Sequence, residues 1–317
     1  MTETEIQLDA SFGAAKVSAT VDPVGASLLA TRVGEDEIIQ QPSRASKQRF
    51  EFFVGSTLFP WCNRTRNGTW VDPQGQIQQL PISEPNLNNA LHGFVAQREF
   101  SVIARTDSSV SLEIAIGPEP GYPFQLGLRV SYELEPNGIR CDYLVNNLGR
   151  DKAPFSLAAH PYIKLGGAET GDLVLRSAAE KVYEQDKQQI PVGLGPTAGT
   201  KYDFRQGVKV SDLSLDDYFT EIATSGDGKR HTQLIGPESI ADIWQDSAFK
   251  HLVIFNTPSF ETEAGAVQAI AIEPSTSAVN ALNSDEDLIW LDSGSGWAAS
   301  WGVRLLGKSA DARVAQS

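Results

Sequence analysis

Hydrophobic and polar residues alternate along most of this 317-residue chain, and turn dipeptides interrupt the alternation roughly every ten residues. Across 139–145, Ile139, Cys141, Tyr143 and Val145 fall on one face, the pattern of a half-buried strand. That run follows Pro136-Asn137-Gly138, a hairpin signal. Asn67-Gly68, Gly75 in Asp72-Pro73-Gln74-Gly75, and Asp227-Gly228 predict further tight turns, because Asn, Asp and Gly accept the positive φ such turns require. Segments 110–116, 126–134, 173–176, 252–255 and 267–272 read as additional strands, and amphipathic helices are scarce. The expected fold class is all-β, a large antiparallel β-sandwich with few short helices. No repeat and no Gly/Ser/Pro linker divides the chain, so a single domain over 1–317 is expected, with a frayed tail at 310–317.

Composition narrows the function classes. The hydrophobic fraction of 41% and charged fraction of 21% are ordinary for a folded protein. A formal charge of -14 disfavours nucleic acid and anionic membranes as partners, since both need clustered Lys and Arg. Cys62 and Cys141 are too few and too far apart for a disulfide framework or a zinc site. No basic and apolar leader opens the sequence and no apolar run approaches the roughly 20 residues that span a bilayer, so the expected location is cytoplasmic. The sequons at Asn63 and Asn67 are read as chance matches on that basis.

Candidate chemistry concentrates in three places: His92 in Asn89-Ala90-Leu91-His92-Gly93, His160 in His160-Pro161-Tyr162, and Glu273 in Ile272-Glu273-Pro274. Two of the chain's four histidines lie here, and a His/Glu pair meeting in a cleft forms a general acid and base. Strand phase puts His160 with Ala158 and Ser156, and Glu273 with Ala271 and Ala269, beside small residues that leave room for a cleft floor. An acidic residue continuing an apolar strand is costly to bury alone, so Glu273 belongs at an exposed edge or in a polar site. Asp242, in Ala241-Asp242-Ile243-Trp244, reads as surface or cleft rim. Trp61, Tyr162, Phe219 and Trp244 are candidate platforms for the apolar face of a ligand, although a core role suits each better.

Six segments in order carry a family resemblance: 58–68 with Pro60-Trp61-Cys62-Asn63-Arg64, then 89–93, Gly121-Tyr122-Pro123-Phe124, Ala159-His160-Pro161-Tyr162, Leu215-Asp216-Asp217-Tyr218-Phe219, and Ile272-Glu273-Pro274 with Asn280-Ala281-Leu282-Asn283. The chain resembles the aldose 1-epimerase (galactose mutarotase) family over most of its length. The resemblance implies a large antiparallel β-sandwich and a small-molecule sugar substrate, an aldohexose such as glucose or galactose. It further implies Glu273 as general base on the anomeric hydroxyl and His160 as general acid on the ring oxygen. His92 and Arg64 would hydrogen-bond the ring or C1 oxygens, and Asp216 would accept from sugar hydroxyls. No metal, nucleotide or redox cofactor is implied, and the expected assembly is a monomer or homodimer.

Two departures keep alternatives open. Asp217 follows Asp216 where the family often has histidine, so either carboxylate could meet the sugar. Arg66 could bind an anionic substituent, which gives a hexose-6-phosphate 1-epimerase as the second reading. A glycosidase built on Asp216 and Glu273 would give His160 no necessary role, and a non-catalytic carbohydrate-binding protein would not need both His160 and Glu273.

Overall fold

Alternation of large apolar residues with polar ones builds two broad antiparallel sheets. The computed structural model describes residues 5–307. The larger sheet runs, edge to edge, through Ile6–Phe12, Ala15–Asp22, Ser27–Val33, Asp36–Ile39, Tyr162–Ile163, Gly265–Ser275, His251–Thr262, Asp216–Ile222, Ala179–Gln185 and Pro191–Pro196. The second runs through Ser101–Arg105, Ser109–Ile116, Leu126–Glu135, Gly138–Asn147, Gly296–Gly307, Ser239–Gln245, Arg230–Ile235, Val174–Ser177 and Val208–Lys209. Helix is confined, among the described residues, to the four-residue turns Gln48–Glu51 and Ala281–Ser284 and two 3-10 turns. The expected frayed tail lies outside the described residues.

Each predicted strand is present, and most are longer than the sequence pattern indicated. The hairpin at Pro136-Asn137 joins Leu126–Glu135 to Gly138–Asn147, with Glu135 opposite Gly138. Ile139, Cys141, Tyr143 and Val145 all join the core between the sheets, as their alternation predicts. The strand predicted at 252–255 extends to His251–Thr262, because Asn256 and Thr257 break the apolar pattern without breaking the ladder to Gly265–Ser275, which resumes at Phe260 after a bulge. The turns at Asn67-Gly68, Gly75 and Gly228 adopt the positive φ expected of them.

The same alternation creates a second apolar layer on the outward face of the larger sheet. Ile270, Ile272, Leu252, Ile254 and Phe219 point into the main core. Their neighbours point the other way, where Tyr162, Phe260, Ala269 and Ala271 form one buried cluster and Tyr218, Val253 and Val279 another. The register places Glu273 opposite Val253 and Val253 opposite Tyr218, and sets Ala271 between Tyr162 and Phe255, with Asp216 beyond Phe255. Glu273, Tyr218, Asp216 and Tyr162 therefore share the outward face, near the middle of the sheet.

Candidate active site

Glu273 sits inside a central strand, paired on both sides, and is 2% exposed. Of the two placements open to it, the polar site is the one observed. His160, just beyond the short strand Ala158–Ala159, brings Nε2 to 3.3 Å from Glu273 Oε1, with both side chains buried. Burial pushes the carboxyl up, Asp216 adds to that push, and Arg64 opposes it. Burial likewise pushes the His160 imidazole down, to about 4, with only its own backbone carbonyl opposing. No hydrogen-bond partner meets His160 Nδ1 among the described residues. The opposite shifts make the carboxyl, rather than the imidazole, the holder of a proton the two groups share. Moving it to the imidazole gives the carboxylate and imidazolium that acid–base catalysis needs, without changing the pair's total charge.

The loops cross this face and bring in the other predicted residues. Arg64–Arg66 pairs with Asn89–Leu91, Arg64 opposite Leu91, so Arg64 and His92 arrive together. His92 has φ of 62°, and its Nδ1 accepts the Asn63 backbone N–H at 3.3 Å, which fixes the proton on Nε2 as a donor. Burial, then the neighbouring His160 and Arg64, hold His92 well below the usual imidazole range, so it donates as a neutral ring. Gly93 follows with φ of 73°, and a Cβ there would lie 2.1 Å from the Phe59 carbonyl oxygen. Only glycine permits this approach.

Arg64 is almost enclosed. Its Nε donates to Glu84 at 3.1 and 2.9 Å, Nη2 to Glu84 at 2.9 Å and to Asp216 at 3.4 Å, and Nη1 to Tyr218 and, at 3.4 Å, to Asn63. Burial works against its charge, but Tyr218, Glu84 and Asp216 outweigh burial and hold the guanidinium protonated. Asp216, partly exposed, also accepts Gln189 Nε2 at 3.0 Å. Asp217 alternates to the other side and accepts the Tyr202 hydroxyl at 3.0 Å. Of the two adjacent carboxylates, Asp216 shares the face of Glu273.

The family model for aldose 1-epimerase matches residues 10–303. The chain belongs to the aldose 1-epimerase family. It is 29% identical over 242 residues to the uncharacterized protein YihR of Escherichia coli K12, covering 76% of this chain and 75% of that one. The fold is similar to that of a GalM/aldose epimerase homologue from C. elegans, with a TM-score of 0.82 at 18% identity over 96% of this chain and 99% of the other. A galactose 1-epimerase from Lactobacillus acidophilus is similar with a TM-score of 0.73 at 18% identity over 96% and 99%.

Membership of this epimerase family puts the remaining expectations in context. Arg66 donates to Gln188 at 2.8 Å and to Asp186 at 2.6 Å, so it ties down the loop that carries Gln189. Asn280 accepts the Arg66 backbone N–H and donates its own to the Arg64 carbonyl, which explains the Asn280-Ala281-Leu282-Asn283 segment as a brace for the arginine strand. The alanines flanking Glu273 do not open a cleft floor. Tyr162 and Phe260 cover them, because small residues there admit large rings from adjoining elements. Trp61, Phe219 and Trp244 are buried away from the pair, and Tyr162 stacks on His160 with centroids 5.4 Å apart. The half-buried Phe53, 4.5 Å from the His92 ring and 6.3 Å from His160, is the aromatic wall that the sequence reading missed.

Asp242 requires a correction. It is neither surface nor cleft rim but 0% exposed, on the outward face of the second sheet. His231 Nδ1 at 3.0 Å, Gln233 Nε2 at 2.9 Å and Arg304 Nε at 2.8 Å surround it, and these partners make burial possible. Sequence reasoning also gave no role to Glu84, Gln189 or Tyr218. The signal for Glu84 was available in Ser83-Glu84-Pro85, an isolated carboxylate just upstream of the 89–93 segment.

Proposed function

We propose that this chain is an aldose 1-epimerase acting on a free aldohexose such as glucose or galactose. Glu273 takes the proton of the anomeric hydroxyl and His160 protonates the ring oxygen. The C1–O5 bond opens to the aldehyde, rotation about C1–C2 presents its other face, and reclosure with the proton transfers reversed gives the other anomer. His92 Nε2–H and Arg64 donate to the C1 or ring oxygens as charge develops, a role suited to positioned donors. Asp216 accepts from a sugar hydroxyl, and Phe53 lines the apolar side.

The observation that carries this reading is the buried His160–Glu273 approach at 3.3 Å, with opposite shifts of the two groups. Neutral sugars are favoured over phosphorylated ones because Arg66 is committed to Asp186, while Arg64 already faces Glu84 and Asp216. A non-catalytic sugar binder has no use for two neighbouring groups buried at such cost. Polarimetry of freshly dissolved α-D-glucose and α-D-galactose tests the proposal. The protein should speed the approach to anomeric equilibrium, and Glu273→Gln and His160→Ala should each remove most of that acceleration. Rates no faster than buffer across neutral and phosphorylated aldoses would overturn it.

A further inference from the structure

Arg64 has five N–H donors, and all of them already have acceptors in the protein. Those to Glu84 and Tyr218 are the close ones, whereas the two at 3.4 Å, to Asn63 and Asp216, are long and are the pair a sugar oxygen can displace. Glu84 thus grips the guanidinium along its Nε–Nη2 edge, a two-pronged arrangement that fixes the plane as well as the position.

Glu84 is itself held on the strand that leads to His92. Its backbone N–H donates to the Asn89 carbonyl at 3.1 Å and its carbonyl accepts the Asn89 N–H at 3.2 Å. Asn89 Nδ2 then donates to Glu84 Oε2 at 3.1 Å and to the Gln188 carbonyl at 3.0 Å. Two side chains, Glu84 and Asn89, therefore connect the arginine strand, the histidine strand and the loop bearing Gln189.

We propose that Glu84 is a positioning residue for epimerisation, holding Arg64 so that only its Asn63- and Asp216-facing donors are available to exchange onto the substrate. This rests on the epimerase reading above. A second consequence concerns charge. His160, Tyr162, Asp216 and Arg64 act on Glu273, and Arg64 is the group among them that favours its ionised form. Glu84 offsets part of that positive charge. Removing the Glu84 charge should make Glu273 easier to ionise.

The test compares wild type, Glu84→Gln and Glu84→Asp. Glu84→Gln keeps the shape but loses one acceptor and the charge, so kcat/KM should fall about 10- to 100-fold, chiefly through kcat, as misplacement of a catalytic contact does. Its alkaline limb in the kcat/KM profile should move to lower pH. Glu84→Asp should return the limb toward its wild-type position, because the charge is restored, while recovering only part of the rate. Independently of any sugar, the Arg64 Nε–H should exchange slowly with solvent in the wild-type protein by NMR and quickly in Glu84→Gln. Wild-type kinetics and limb position in Glu84→Gln, or rapid exchange of the Arg64 Nε–H in the wild-type protein, would overturn the proposal. Were the wild type inactive on every aldose, the epimerase reading would fail, while the exchange measurement would still decide whether Glu84 holds Arg64.

Discussion

Glu273 and Asp242 are both carboxylates buried on the outward face of an interior strand, one in each sheet, and they meet opposite fates. Asp242 receives three donors, and although burial pushes its pKa up, His231 and Arg304 bring it below the ordinary carboxylate range. Glu273 has His160 at 3.3 Å and no strong donor among the described residues, so burial and Asp216 push it up. A carboxylate whose partners satisfy its charge holds the fold. One left under-compensated is available to exchange a proton, and the protein bears the cost.

The largest effect that sharpens this contrast is expected from Glu273→Gln. The mutarotation rate should fall by about 10²- to 10⁴-fold, the contribution usual for a general acid–base group. Stability should move the other way. A carboxyl whose folded pKa is raised costs stability above its unfolded pKa, so at neutral pH the Gln variant should melt higher, and the gain should vanish in acid below the ordinary carboxylate range. A lower melting temperature at neutral pH would break the contrast.

Asp242→Ala should do the reverse. Leaving Arg304 and His231 without their shared carboxylate should cost about 3 kcal/mol in denaturant unfolding, while the rate per folded molecule stays unchanged. Loss of activity at full stability would show that the second sheet's polar cluster reaches the site. A smaller effect is expected from His231→Gln. Burial lowers the His231 pKa, but Asp242 and Asp227 outweigh burial and raise it, so its contribution is present below the unfolded histidine pKa and lost as pH rises through the raised folded value. The variant should lose that alkaline decline in melting temperature.

The sandwich was legible because a period of two survives wherever one sheet face is buried, and Gly138–Asn147 shows this residue by residue. Strand alternation likewise sets Glu273 on the face opposite Ile270 and Ile272, as its sequence predicts. What it could not contain was the content of that face, since Tyr162, Phe260 and Phe53 come from elements far away in sequence. Asp242 failed for the same reason. Its partners lie at 231, 233 and 304, and only the ladder between strands reveals that three donors converge there. Arg64 was singled out through a resemblance, but its keeper Glu84 belongs to a loop with no periodicity to read. Local pattern determined which way side chains point, and long-range pairing determined what they meet.

The central claim is that Glu273 and His160 work as one proton-holding pair with inverted affinities. The most direct measurement is the polarimetric kcat/KM profile against pH for wild type and Asp216→Asn. With the pair inverted, the acidic limb belongs to His160, near its lowered value of about 4, and the alkaline limb belongs to Glu273, above the ordinary carboxylate value of 4.5. Removing the Asp216 charge should then draw the alkaline limb to lower pH and leave the acidic limb in place. A shift confined to the acidic limb, or a wild-type rate no greater than buffer at any pH, would contradict the account.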